Sequence, residues 1–280
     1  MLKNCLVISD LCTYSKSSLT VSLPILEAQG IEACPLATSV LSTQSDGFDE
    51  LYQKGLDDAI GPISGKLDEL GIRFDAVYSG FLSSQKAFDA VENILVKASG
   101  ALKLVDPVLG DDGRLYSVTE AGMVERMRAL ISKSDVITPN QTEAFLLLGL
   151  PYERTVSPER AMKLAQALKA MGPRNVVITG MRMDDGAFAL GLEDKVIGYK
   201  VIRSTLPGSG DLFASLLIGF LLRSMSFEQS ARQASNLVSL CIERTCQAGY
   251  EMRHGVCPAL IIADLVPSQT APSEKSPISL

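Results

Sequence analysis

Between residues 203 and 222 a polar Pro/Gly turn runs straight into a strongly apolar helix, Arg203-Ser-Thr-Leu-Pro-Gly-Ser-Gly-Asp-Leu-Phe213 and onward to Leu222. Gly208 and Gly210 free the backbone around Ser209 to adopt conformations closed to residues with a Cβ, so that successive N–H groups can converge on one anion at the helix mouth. The helix dipole adds to that pull. Asp211 is badly placed to hold a phosphate itself, but well placed to take a proton from a group attacking one, as the base of a phosphoryl acceptor must. The same residues also make an ordinary helix start, capped by Ser209 or Asp211 after a glycine turn. Two other phosphate motifs are excluded. Phe213 occupies the third glycine position of a dinucleotide G-x-G-x-x-G, and Gly61-Pro-Ile-Ser-Gly-Lys-Leu67 lacks both the spacing and the hydroxyl of a P-loop.

The rest of the chain must bring partners to that turn. Short apolar segments alternate with amphipathic ones. Strands are expected at 5–9, 31–37, 74–79, 102–106, 136–138 and 175–179, and helices at 18–29, 48–70, 83–98, 119–132, 141–148 and 157–171. This alternation predicts βαβ units, a mostly parallel sheet with helices on both faces and right-handed crossovers. Segments 186–192 and 196–202 read instead as a hairpin, an antiparallel edge on that sheet, before a long helix at 228–248 and a short segment at 259–265. Residues 1–266 are expected to form one domain. The tail 267–280, rich in Ser and Pro, has too few apolar residues to fold and is expected to be disordered.

In such sheets ligands sit beyond the carboxyl ends of the strands. The residues there are Ser9-Asp10, Ser79-Gly80, Asp106 with Asp111, Thr138-Pro-Asn140 with Glu143, and Thr179-Gly180. Acids and small hydroxyls dominate, which suits a magnesium-bound polyphosphate better than a hydride carrier. Individually each is also a common turn or helix start: Asp/Gly clusters make turns, and Pro139 with Glu143 suits a first helical turn. Their convergence on one rim with the Gly208 turn carries the kinase reading.

Composition bounds the alternatives. With 280 residues, 46% apolar and 21% charged, the chain is long enough for a large core. A net charge of −6, no basic run and no Trp argue against nucleic acid. The longest apolar run, 212–222, is about half the roughly 20 residues of a membrane helix, and no secretory leader is read at the N-terminus. Six cysteines without a C-x-x-C pattern are expected to be reduced, in the cytoplasm. A Ser-His-Asp hydrolase or a His-ligated zinc centre would hang on His254, the sole histidine, and neither is expected.

Taken together, Asp106-Pro-Val-Leu-Gly-Asp111, Leu115-Tyr116, Ile137-Thr-Pro-Asn-Gln-Thr-Glu143, Val177-Ile-Thr179 and Gly208-Ser-Gly-Asp-Leu-Phe213 resemble the pyridoxal/pyridoxamine kinase branch of the ribokinase-like superfamily, over about residues 4–257. The resemblance implies a three-layer α/β/α fold, ATP with Mg2+, a monovalent cation such as K+, and a homodimer. It implies Asp211 as catalytic base and Gly208, Ser209 and Gly210 as anion hole. Asp106, Asp111, Tyr116, Thr138, Glu143 and Thr179 are implied to contact ATP or its cations, with Asp111 and Glu143 on the metal. Ser9 and Ser45 are implied to hold the pyridine ring and its hydroxyl.

The substrate side departs from the family. Bacterial pyridoxamine kinases usually show Asn-Asp-Leu-Ser-Gly-Phe-Gly and Ser-Asn-His-Thr-Gly, where this chain has Ser9-Asp-Leu-Cys-Thr-Tyr-Ser15 and Ser42-Thr-Gln-Ser-Asp46. Two other functions therefore stay in view. One is hydroxymethylpyrimidine kinase, although residues 9–20 lack its Gly-Ala-Gly-Ile-Gln-Ala-Asp. The other is a non-catalytic vitamer or nucleotide sensor. A sugar kinase fits less well, since a helix is expected where those carry a strand-built lid. If Asp10 or Asp46 faces the substrate, the ammonium of pyridoxamine gains a charge-assisted hydrogen bond worth about 1.5 to 3 kcal/mol over pyridoxal. Both can also be read as solvated loop residues, Asp46 above all, since Asp before Gly47 is an ordinary turn pair.

Overall fold

The computed structural model describes residues 2–44, 47–48, 50–116, 119, 122–200 and 206–266. In chain order the elements are β1 (Lys3–Tyr14), α1 (Leu19–Ala28), β2 (Ile31–Thr43), β3 (Gln53–Gly55), α2 (Asp57–Glu69), β4 (Ala76–Ser79), α3 (Gln85–Lys97), β5 (Leu102–Val105), β6 (Gly110–Asp111), β7 (Arg114–Leu115), α4 (Met123–Ile131), β8 (Val136–Ile137), α5 (Gln141–Leu148), α6 (Pro158–Lys169), β9 (Asn175–Val176), β10 (Ile178–Arg182), β11 (Phe188–Gly191), β12 (Val196–Gly198), α7 (Ser209–Leu222), α8 (Phe227–Gln247) and α9 (Ile262–Leu265). Two 3-10 turns, Met252–His254 and Pro258–Leu260, join α8 to α9.

The main sheet runs β3-β2-β1-β4-β5-β8-β9, parallel throughout except for β3 against β2. Side chains alternate across it as the pleat requires. Leu6 and Ile8 of β1 join Val77 and Val105 in a core under α2 to α6, while Cys5 and Val7 join Ala76, Tyr78 and Leu104 in a second core under α1, α7 and α8. Two cores on the two faces of one sheet make the three-layer α/β/α architecture. β10 continues past the end of β8, with the Thr179 N–H donating to Pro139 O at 2.8 Å. β11 and β12 then add antiparallel to β10, the expected hairpin, in a three-stranded sheet of their own at the end of the main one.

Helix starts are chemically specified. Ser84, Ser157 and Ser226 each accept a first-turn N–H through the side chain, and Pro158 stands at the head of α6, where a missing N–H costs nothing. Asn140 and Glu143 form a reciprocal capping box on α5. Every residue from Leu212 to Phe220 of α7 is buried, as an all-round apolar helix must be.

Two expectations need correction. Residues 48–70 are not one helix: Gln53–Gly55 pair antiparallel with Ser39–Leu41, and helix begins only at Asp57. The long exposed edge of β2 recruits them, with the Ser42 N–H donating to Tyr52 O at 2.9 Å. Asp10 lies in β1 rather than in a loop, because β1 runs on to Tyr14 through a register shift between Ser9 and Leu11. The expected tail, 267–280, lies outside the described residues.

Candidate active site

Beyond the carboxyl ends of β1, β5, β8 and β10 opens a cavity of about 970 Å³. One wall is the turn into α7. Gly208 has φ 79°, and a Cβ there would stand 2.5 Å from the carbonyl oxygen of Lys16, so only glycine fits. The Ser209 N–H closes the turn on Leu206 O at 3.2 Å. The amides of Gly210 and Asp211 follow in the first helical turn, where an N–H has no intrahelical acceptor.

Asp211 lies at the cavity wall beside those amides. Its Oδ2 accepts the Ser18 N–H at 2.8 Å, and its own carbonyl accepts the Ser215 hydroxyl at 2.6 Å. Burial pushes its carboxyl up to about 6, against the lowering effect of the Ser18 N–H, and the neighbouring Asp10 raises it further. Asp10, 4% exposed, accepts the Ser18 hydroxyl at 2.5 Å, and burial raises its carboxyl too.

Across the cavity, Asp106 at the end of β5 accepts the Thr138 hydroxyl at 2.8 Å. A Cβ on Gly210 would lie 3.8 Å from Asp106 Oδ2, so the acid and the turn face one another closely. Glu143 accepts the amides of Leu109 at 3.0 Å and Asn140 at 2.8 Å, and Asn140 Nδ2 ties Gly110 O at 2.8 Å. Burial, then the charge of Asp211, pushes Asp106 up to about 7. Burial, then Asp106, holds Glu143 well above the usual carboxylate range. Asp111, on the β6–β7 hairpin, is exposed and accepts the Asp112 N–H at 2.8 Å. Among the described residues no Lys or Arg forms an ion pair with Asp10, Asp106, Asp111, Glu143 or Asp211.

Hard oxygen donors pressed together without a cation fit a divalent metal. Among the described residues no group of three or more His, Cys, Asp or Glu is arranged to cage one. A magnesium ion would take one or two carboxylates from Asp106, Asp111 and Glu143, and its other ligands from phosphate and water.

Tyr116, Thr138 and Thr179 also line the cavity, so the expected nucleotide-side residues meet on one surface. Burial, then Glu143, raises the Tyr116 phenol. Ser9 lies behind that surface, 1% exposed, with its hydroxyl accepting the Phe81 N–H at 3.2 Å. Ser45 and Asp46 lie outside the described residues. Ser18, Gln44 and Phe81 line the cavity without having been singled out in the sequence. Ser18 was hidden because a serine ahead of a helix reads as a cap. No disulfide joins the described cysteines, and among the described residues no helix is long and apolar enough to cross a membrane.

The family model described as phosphomethylpyrimidine kinase matches residues 25–258. The chain is 27% identical over 268 residues to a pyridoxal kinase from Rubrobacter xylanophilus, covering 88% of this chain and 89% of that one. Against a candidate pyridoxal kinase of Saccharomyces cerevisiae the match spans 63% of that protein's length. Among solved structures it resembles a candidate phosphomethylpyrimidine kinase from Bacteroides thetaiotaomicron, crystallised with pyridoxal, at 31% identity and TM-score 0.89 over 95% of this chain and 96% of that one. Pyridoxal kinase from Lactobacillus plantarum follows at 28% identity and TM-score 0.86, over 95% and 97%. The chain belongs to the phosphomethylpyrimidine kinase family of ribokinase-like enzymes.

Proposed function

We propose that this enzyme transfers the γ-phosphoryl group of ATP to the hydroxymethyl group of a vitamin B6 vitamer, giving the 5'-phosphate and ADP. The observation that carries the reading is Asp211, fixed by the Ser18 N–H beside the first-turn amides that follow Gly208, with the Asp106, Asp111 and Glu143 acids lining the same cavity. The vitamer oxygen attacks the γ-phosphorus, the bond to the β,γ-bridging oxygen breaks, and the hydroxyl proton passes to Asp211. The amides of Gly210 and Asp211, with the α7 dipole behind them, meet charge growing on the transferred oxygens. Bound magnesium neutralises polyphosphate charge. Tyr116, Thr138 and Thr179 would line the nucleotide and Asp10 the vitamer. A monovalent cation, a homodimer and a cytoplasmic setting belong to the same reading.

The family description favours one second reading, a kinase for the hydroxymethylpyrimidine alcohol. ADP release with each B6 vitamer, the pyrimidine alcohol and ribose separates them. The vitamers are expected to have the highest kcat/KM. A preference for the pyrimidine would replace the proposal, and vitamer binding with no turnover under saturating Mg-ATP would make the chain a sensor. Within the vitamers, Asp10 favours the ammonium of pyridoxamine, by roughly ten- to a hundredfold. Asp10→Asn is expected to shrink that preference, and a wild-type preference for pyridoxal would defeat the charge argument alone.

A further inference from the structure

Ser18 stands between the two acids on the acceptor side of the cavity. Its hydroxyl donates to Asp10 Oδ1 at 2.5 Å and its backbone N–H to Asp211 Oδ2 at 2.8 Å. It is 6% exposed, and it reaches both acids from a backbone at φ 52°, ψ −127°, a region that side-chain-bearing residues rarely enter. The chain around it is clamped. The Lys16 N–H donates to His254 O at 2.8 Å, Gly208 packs on Lys16 O, and Ser17 and Thr20 close a local turn through the Thr20 hydroxyl.

A serine immediately ahead of a helix ordinarily caps it, its oxygen accepting an N–H of the first turn. Ser18 makes no such bond on α1. Glycine would adopt its φ without strain and would present the same N–H to Asp211. What serine supplies at this position and glycine does not is the hydroxyl, and the hydroxyl is spent on Asp10. Strain kept where it has no folding benefit points to function.

We infer that Ser18 is a positioning residue that fixes Asp10 and Asp211 relative to each other, so that the vitamer is held by one acid while the other takes the proton of its acceptor alcohol. The inference rests on the functional reading above. One carboxylate oxygen of each acid is tied to the same residue, so neither can swing without moving Ser18.

The test is a double-mutant cycle on kcat/KM with Mg-ATP and each vitamer, using wild type, S18G, D10A and S18G/D10A, with melting temperatures measured alongside. S18G is expected to melt at or above the wild-type temperature yet to lose about tenfold or more in kcat/KM, mostly as a higher vitamer KM. The double variant is expected to fall within about threefold of D10A, since the hydroxyl acts only through Asp10. Wild-type kinetics in S18G, losses that multiply in the double variant, or a loss matched by a lower melting temperature would each overturn the assignment. A wild-type protein that turns over no vitamer overturns the functional reading and this assignment with it, whereas an active wild type with an indifferent S18G refutes the assignment alone.

Discussion

A carboxylate serves as a base near neutrality only if its surroundings lift its pKa while its geometry stays fixed. Asp211 has both: burial lifts it to about 6, and the Ser18 N–H holds one oxygen. The protonated form cannot accept a proton, so kcat/KM for the vitamer is expected to fall on the acid side of about pH 6, roughly tenfold per unit. A flat profile from pH 5 to 7.5 would remove Asp211 from the mechanism. Asp211→Asn keeps an oxygen for the Ser18 N–H but no basic site. It should lower kcat by about 10² to 10⁴, with ATP affinity measured by calorimetry within a few-fold of wild type. Asp106→Asn tests the opposite wall. The amide still accepts the Thr138 hydroxyl while removing a charge repelled by Asp211 and buried without an ionic partner. The variant is expected to melt higher at pH 8 and to turn over more slowly, the signature of a residue kept for function at a cost in stability.

At the scale of elements, α7 carries the site on its first turn and buries every residue from Leu212 to Phe220. Gly208→Ala combines a positive φ with a Cβ 2.5 Å from a backbone oxygen that cannot rotate away. A loss of about 2 kcal/mol or more is expected in denaturant melts, with activity lost further, and a neutral result would mean that the turn relaxes. The elements show what is legible in a sequence. α5 has the expected bounds because Asn140, Glu143 and Gly149 write its start and stop locally. The acids at 106, 111 and 143 and the Gly208 turn were legible for a related reason: strand ends on one sheet share one rim. β3 was not legible, since three residues carry no periodicity and only the distant edge of β2 makes them a strand. Asp10 and Ser9 differ for a reason equally invisible locally. A register shift lies between Ser9 and Leu11, with Asp10 at the cavity and the Ser9 hydroxyl behind it on the Phe81 N–H.

Over the whole molecule these choices add up to a fold that concentrates negative charge where it is least solvated. Asp10, Asp106, Asp211 and Glu143 are all raised, first by burial, and their ordinary values lie at 3.8 to 4.5. Asp75, Glu159 and Glu228 are lowered by hydrogen bonds, but they lie at the surface, where solvent screens the effect. The buried set therefore decides the sign. Between about pH 4, where the unfolded chain loses its carboxyl protons, and the folded values of about 6 and 7, the native state binds more protons than the unfolded one. Its stability must then fall as pH rises through that window. Without nucleotide, the melting temperature is expected to be higher at pH 5 than at pH 8. Magnesium with a non-hydrolysable ATP analogue binds only the native state and supplies positive charge where the acids lack it. It should raise the melting temperature more at pH 8, where the acids are ionised, than at pH 5. Scanning fluorimetry from pH 5 to 8, with and without magnesium and the analogue, reads both effects at once. A melting temperature that climbs with pH in the ligand-free protein, or a ligand shift equal at both ends, would show that the acid cluster does not govern stability. Asp106→Asn should flatten the slope in the same scan, because it removes a carboxyl that burial itself raises and that in turn raises Glu143.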